Sequence, residues 1–181
     1  MLREVLDNGH EIGSHSVTHH PVTLKMPEQA EREAWESRRM IEDWIGKKFI
    51  SSFCYPFYWS HEYLAAAVKQ AGYGQARGGG ALPEYGPRAS YYAFSKGGLD
   101  KFNVDCRQIA REGENVSGWL REGCWHVLTY HGVGTDEDGW EPLTVAEFAA
   151  QMEELANHRD SGACEVVTFK DGAARFAAPV G

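Results

Sequence analysis

An α/β fold built on parallel strands is the architecture that the sequence predicts. Short extended runs alternate with amphipathic helical patterns along all 181 residues. Strands joined through a helix run parallel, because such crossovers are right-handed and return the chain to the same sheet. Polar groups also come directly after three different predicted strands, as they do at the carboxyl edge of a parallel sheet. We therefore expect one domain over residues 1–181, with a parallel sheet or barrel.

The first half of the chain is divided by local helix signals. Gly9 and Gly72 each stop a helix, because glycine tolerates the left-handed conformation of a helix C-terminus. Pro27 stands in the first turn of a long amphipathic helix, and Ser60 is an N-cap. The predicted elements are a helix 1–8, a strand 10–14, a helix 27–46, a strand 49–55, a helix 61–71 and a strand 73–77.

The second half is less regular. Residues 125–130 form a continuous apolar run typical of a buried strand, and Thr144 is an N-cap. The predicted elements are a Gly/Pro-rich connection 78–88, a strand 91–94, a helix 105–122, a strand 125–130, a loop 132–142, a helix 145–158 and a last strand 166–169.

A histidine-rich turn follows the first predicted strand. The segment 9–21 reads G-H-E-I-G-S-H-S-V-T-H-H-P and holds four of the eight histidines, His10, His15, His19 and His20. His15 and His19 can converge on one ion if the three residues between them make a single helical turn. Neutral imidazole is the commonest metal ligand near pH 7, so the spacing predicts a metal site. A solvated histidine-rich loop is the alternative.

Composition excludes several classes of partner. The formal net charge is -8, and the longest basic clusters are the pairs Arg38-Arg39 and Lys47-Lys48, so neither nucleic acid nor an anionic membrane is an expected partner. No apolar segment approaches the roughly 20 residues of a membrane span. The four cysteines form no C-x-x-C pair, which argues against a thiolate zinc site and favours reduced, mostly buried thiols.

Three groups are expected at one rim of the sheet. His15, residues 55–57 and His131 each follow a different predicted strand. The carboxyl ends of parallel strands share one edge, where ligand sites of such folds gather. This placement favours a functional histidine pair over a solvated loop.

These segments resemble the motifs of the polysaccharide deacetylases, the NodB-homology family of carbohydrate esterases. Residues 9–19 look like the second family motif, in which the histidines of H-[S/T]-x-x-H bind a divalent metal. Residues 53–57 (F-C-Y-P-F) resemble the third motif, and residues 127–132 (V-L-T-Y-H-G) the fifth, whose histidine is a general acid. Order and spacing agree over nearly the whole chain. The resemblance implies a single polysaccharide deacetylase-like domain, a distorted (β/α) barrel with parallel strands.

The departures from the family pattern concern its carboxylates. Members begin with a strand ending in T-F-D-D-G, which supplies the general base and the third metal ligand, and no such segment precedes Met1. The expected barrel is therefore incomplete at its N-terminus. Residues 168–172 read T-F-K-D-G, so Asp171 is a candidate substitute ligand; the other interpretation is an ordinary final strand and turn. The arginine of the third motif is also missing, with Ser51 and Ser52 in that neighbourhood.

The resemblance implies metal-assisted hydrolysis. His15 and His19 would hold one divalent ion, zinc first with cobalt or nickel as alternatives, and hold it weakly without a third protein ligand. The backbone N–H of Phe57 would stabilise the oxyanion, and His131 would protonate the leaving amine. Tyr55 and Trp140 are candidate aromatic platforms under a sugar ring.

The expected function is the removal of acetyl groups from an N- or O-acetylated carbohydrate polymer, impaired because the catalytic aspartate pair is absent. One alternative is a non-catalytic carbohydrate-binding or structural relic of the same fold. Another is a cyclic-amide hydrolase of allantoinase type, which the Tyr-Pro-Phe version of the third motif resembles. An incomplete barrel would also leave open edges, which predicts a homo-oligomer that covers them. The sequence leaves the cellular compartment open.

Overall fold

A computed structural model gives the fold of the chain. It describes residues 2–20, 26–46, 50–58, 60, 62–78, 93–95, 99–106, 108–111, 113–135 and 142–177. Within these ranges the α-helices are α1 (Leu2–Asp7), α2 (Pro27–Ile45), α3 (Glu62–Gln70), α4 (Val145–Asp160) and α5 (Phe169–Phe176). The strands there are β1 (Ser52–Cys54), β2 (Gln75–Gly78), β3 (Ala93–Ser95), β4 (Val104–Asp105), β5 (Gln108–Ile109), β6 (Cys124–His126) and β7 (Leu128–Thr129).

A parallel sheet of order β1-β2-β4 positions the site. Ser52 lies opposite Gln75, and Cys54 opposite Arg77, in the β1–β2 register. Ser14 extends the sheet beyond β1, because its N–H donates to the carbonyl of Ser52 at 2.9 Å and its own carbonyl accepts from the N–H of Cys54 at 2.8 Å. The chain segments that follow Ser14, β1 and β2 therefore begin at the same edge.

Two further strand pairs complete the described sheet structure. β5 and β7 pair in parallel, whereas β3 and β6 are antiparallel. A mixed helix and sheet fold with a parallel sheet thus agrees with the predicted α/β class. The antiparallel pair departs from the all-parallel expectation, and the pairings among the described strands do not close a barrel.

The main core lies where α2 and α3 pack on the β1–β2 pair. Its fully buried members include Phe53, Ile50, Leu64 and Val68. A second cluster joins Leu99, Val104, Trp125 and Ala173, with Phe169 and Phe176 packed against it. Cys54, Cys106, Cys124 and Cys164 form no disulfide. Of the helices that the structure describes, none has the length and apolarity to cross a membrane.

Helices α2 and α4, which have strong local sequence signals, form where the sequence predicts them. α2 begins at Pro27 and ends before Gly46, whose φ of 75° is left-handed and whose N–H donates to the carbonyl of Glu42 at 2.8 Å. α4 starts after Thr144, whose hydroxyl accepts from the N–H of Glu147 at 3.1 Å. These predictions are confirmed because capping and periodicity act within one helix.

Several predicted elements are wrong. The helix 105–122 is replaced by β4, β5 and a 3-10 turn, Ser117–Trp119, because neighbouring strands take the backbone hydrogen bonds of Cys106 and Ala110. The last strand 166–169 does not form. Phe169 instead begins α5, since Thr168 caps that helix by accepting from the N–H of Asp171 at 3.2 Å. The strand 125–130 is divided at Val127 into β6 and β7, which have different partners. Within 10–14, Ser14 alone pairs in the sheet.

Candidate metal and active site

His15 and His19 lie side by side at the carboxyl edge of the sheet. Their ring centroids are 4.7 Å apart, with the ring planes at 65° to each other. The Nδ1 of His15 makes a 2.9 Å hydrogen bond with the carbonyl oxygen of Cys54, at the end of β1. A backbone acceptor at Nδ1 places the proton there and leaves the lone pair on Nε2, as in many metal-ligating histidines.

The turn between the two histidines is tight and left-handed rather than helical. Ser16 has a φ of 68° and His19 a φ of 51°. The Oγ of Ser16 accepts from the N–H of His19 at 3.1 Å. Left-handed backbone at a residue other than glycine costs of order 1–3 kcal/mol, so contacts from elsewhere must hold this turn.

Glu33 supplies those contacts from the buried side of α2. Its Oε2 accepts from the N–H of Val17 at 2.7 Å and from the N–H of Thr18 at 2.9 Å, and its Oε1 accepts from the hydroxyl of Thr18 at 2.7 Å. Burial raises the pKa of Glu33, but the hydrogen bonds from Thr18 and Val17 outweigh it, so the pKa lies below 4.5. The carboxylate is therefore ionised near neutral pH and anchors the histidine turn.

The sequence analysis missed Glu33. A signal was nonetheless present, since Glu33 stands beside Ala34 and three residues after Ala30 on the apolar side of α2. A carboxylate on a buried helix face needs hydrogen-bond donors from another element. The turn at residues 17–18 supplies them.

Both imidazoles are neutral near pH 7. Burial lowers the pKa of His15 below 6.5; the hydrogen bond to Cys54 acts in the opposite direction, and the positive charge of Arg77 lowers the pKa further. For His19, burial and then the neighbouring His15 lower the pKa. Neutral, converging imidazoles with one ring fixed by a carbonyl fit a divalent metal ion.

The fit is limited to two donors. Among the described residues no group of three His, Cys, Asp or Glu side chains is arranged to hold a metal ion. Asp171 is exposed in the first turn of α5 and belongs to no such group with the histidines. The structure therefore gives no support to Asp171 as a substitute ligand.

A strained turn after β1 connects the histidine pair with His131. Phe57 and Tyr58 have φ values of 57° and 61°. The ring of Phe57 lies 4.6 Å from that of His19, and the hydroxyl of Tyr58 is 3.1 Å from Nε2 of the half-buried His131. Together with Ser16 and His19, Phe57 and Tyr58 account for the non-glycine residues of positive φ in the described part of the chain. Such strain clusters at functional sites.

The two aromatic platform candidates have different outcomes. Tyr55 is fully buried, and its hydroxyl donates to the carbonyl of Phe102 at 2.9 Å, so its predicted contact with a sugar is wrong. The ring completes the core between the sheet and the 99–106 segment. Trp140 lies outside the described residues. Tyr58, which the sequence analysis did not select, contacts His131 instead.

A cleft of about 630 Å³ opens beside His15. It lies between the segment 8–15, the ends of β1 and β2, and the segment 166–169. Glu11 joins its two sides, since it accepts from the hydroxyl of Ser52 and, at 2.8 Å, from the N–H of Lys170. Arg77 also lines this cleft.

Comparison with protein families gives one match. The family model described as Polysaccharide deacetylase matches residues 1–76 of the 181-residue chain. The match contains the histidine pair and the turn after β1, whereas His131 lies beyond it. Searches of curated proteins and of solved structures give no significant match. The predicted resemblance is confirmed over the matched segment: residues 1–76 are similar to the polysaccharide deacetylase family.

Proposed function

We propose that the protein removes acetyl groups from an N- or O-acetylated carbohydrate polymer, with one divalent ion held by His15 and His19. The family assignment itself indicates a deacetylase-type carbohydrate hydrolase. The observation that carries the finer proposal is the histidine pair, with ring centroids 4.7 Å apart inside the matched segment.

His15 and His19 would hold the ion through their ring nitrogens, zinc first and cobalt or nickel next. When bound, the ion supplies Lewis-acid activation of the acetyl carbonyl and of a water molecule. The Cys54 carbonyl orients His15, and Glu33 holds the turn that carries His19. Pre-formed orientation reduces the entropy that ligand ordering costs.

The remaining steps are assigned to the turn after β1 and to His131. Phe57 lies next to the His19 ring, and its backbone N–H would donate to the oxyanion that develops on the carbonyl oxygen of the acetyl group. His131 would give a proton to the leaving amine or alcohol. Burial raises the pKa of Tyr58, so its phenol stays protonated and can hold the His131 ring by a hydrogen bond at Nε2.

We propose that this activity is weak. Among the described residues, the two imidazoles have no carboxylate as a third ligand, so they form a poorer metal site than the usual three protein ligands.

Acetate release from chitin oligomers and acetylated xylan tests the proposal. The purified chain is stripped with a chelator and then given zinc, cobalt or nickel. We expect slow, metal-dependent release that His15→Ala and His19→Ala abolish. His10→Ala is the matched control, because His10 belongs to the same segment and is exposed like His15 and His19, but lies outside the ring pair. Turnover that survives chelation and both variants would disprove the proposal.

A non-catalytic carbohydrate-binding relic is the second candidate. The absence of a three-donor group among the described residues favours it. Retention of the protein on insoluble chitin, with no acetate release under any metal, would select this alternative. Hydrolysis of allantoin in the same assay would select the cyclic-amide hydrolase.

A further inference from the structure

A groove runs between helices α2 and α3 at the surface of the protein. Its volume of about 420 Å³ lies within the range of roughly 300–1,000 Å³ that is usual for small-ligand sites. From α2 it is lined by Glu28, Glu31, Arg32 and Trp35, and from α3 by Ala67 and Gln70. These residues all differ from those that line the cleft beside His15, so the groove is distinct from the proposed metal site.

Trp35 gives the groove an aromatic surface. It is 55% exposed, although tryptophan usually buries most of its large apolar area. Ala67 across the groove contributes only a methyl group, which leaves room for a ligand beside the ring. The ring already attracts one cation, because the guanidinium of Arg39 lies 5.6 Å from its centroid while also pairing with Asp43 at 3.0 Å. Trp35 is therefore suited to contact both the apolar face of a ligand and a positive charge.

The charged groups of the lining favour a cationic ligand. The exposed carboxylates of Glu28 and Glu31 stand seven and four positions before Trp35, on the same side of the helix. The guanidinium of Arg32, which also lines the groove, pairs with Glu36 at 2.8 Å. Because Glu36 offsets the charge of Arg32, the two lining carboxylates set the sign of the local potential, and the net charge of -8 acts in the same direction.

We propose that this groove binds a protonated amino sugar, as a unit of a glucosamine polymer. The apolar face of the sugar ring packs on Trp35, the amide of Gln70 bonds its hydroxyl groups, and Glu28 and Glu31 attract its ammonium group. A neutral sugar would use the aromatic ring alone and a polyamine the charge alone, whereas an amino sugar uses both. Removal of N-acetyl groups would generate such a ligand, but binding in the groove depends neither on the metal nor on turnover.

Isothermal titration calorimetry of the chelated, metal-free full chain tests the groove. A glucosamine oligomer, an N-acetylglucosamine oligomer of the same length and spermidine are titrated at about pH 6, where amines are protonated and glutamate is ionised. We expect saturable binding of the glucosamine oligomer, about tenfold or more tighter than that of either control, because the acetylated sugar lacks the ammonium group and spermidine lacks the sugar ring. Equal binding of either control would overturn the proposal.

Variants of α2 separate the contributions of the ring and the charge. Trp35→Ala should weaken binding of the glucosamine oligomer about tenfold or more, because apolar contact and cation–π attraction are lost together, and Trp35→Phe should bind with intermediate affinity. Glu31→Gln should weaken binding about two- to fivefold, as the loss of an exposed ion pair does. Trp44→Ala is the matched control and should bind as the wild type does, because Trp44 is 68% exposed on the same helix but does not line the groove.

Two further measurements locate the bound sugar. The indole Nε–H resonance of Trp35 should shift in NMR spectra as the glucosamine oligomer is added, and His15→Ala should bind the oligomer as the wild type does. Unchanged binding in Trp35→Ala, an unmoved indole resonance or lost binding in His15→Ala would overturn the proposal. A changed size-exclusion elution of Trp35→Ala would also overturn it, because a second copy of the chain would then occupy the groove.

Discussion

Removal of the Glu33 carboxylate should release the histidine turn. Glu33→Ala deletes three hydrogen bonds, from the N–H groups of Val17 and Thr18 and from the hydroxyl of Thr18, all between 2.7 and 2.9 Å. A hydrogen bond to a charged group contributes about 1.5–3 kcal/mol, but water reaches the released donors once the turn opens. We therefore expect a loss of about 2–4 kcal/mol in the free energy of unfolding.

Metal binding should weaken in Glu33→Ala as well. Residues that hold a ligating side chain in place typically contribute about ten- to a hundredfold in metal affinity. Calorimetric titration of zinc should show a loss of that size in Glu33→Ala, while urea unfolding measures stability. Glu31→Ala is the control, because Glu31 is exposed on the same helix.

The contribution of Glu33 to stability should depend on pH in a defined direction. The folded pKa of Glu33 lies below 4.5, so its contribution is present above that pH and is lost as the pH falls through the folded pKa. The stability difference between the wild type and Glu33→Gln should therefore shrink below about pH 4.5. A variant with wild-type zinc affinity and stability would refute the assigned role of Glu33.

Three further outcomes are expected. The folded pKa values of His15 and His19 lie below 6.5. The metal-free protein should therefore lose stability as the pH falls from 6.5 through those values, because the unfolded chain binds more protons. Urea unfolding at a series of pH values measures this loss, and constant stability over that range would contradict it. Tyr58→Phe removes the 3.1 Å bond to His131 and should cost about 1 kcal/mol in urea unfolding and shift the NMR resonances of the His131 ring. Unmoved ring resonances would remove the positioning role of Tyr58. Tyr55→Phe should cost about 1 kcal/mol in urea unfolding without changing retention on chitin, and weaker retention would restore Tyr55 as a sugar contact.

The sequence alone was sufficient to predict those features whose signals lie close together in the chain. Both bounds of α2 and the start of α4 follow from Pro27, Gly46 and Thr144, because a cap and an apolar face act within one helix. The four-residue spacing of His15 and His19 likewise limits how far the rings can separate. The family match likewise covers one contiguous segment, residues 1–76, which contains the histidine pair.

Tertiary structure decided what depends on distant partners. The 105–122 segment pairs as strands because β2 and β7 offer hydrogen bonds that helical periodicity does not report. Thr168 could precede a turn or cap a helix, and packing of Phe169 and Phe176 on Trp125 favours the helix.

Dependence on distant partners also explains why the sequence predicted the histidines but not the residues that support them. Nothing near Glu33 in sequence indicates a bond to residues 17–18, because α2 brings it there from 15 positions away. The Tyr58 bond to His131 spans 73 positions, and it forms because β1 and β7 end near each other. Side-chain chemistry was therefore readable from the sequence, whereas its partners were set by the packing of elements far apart in the chain.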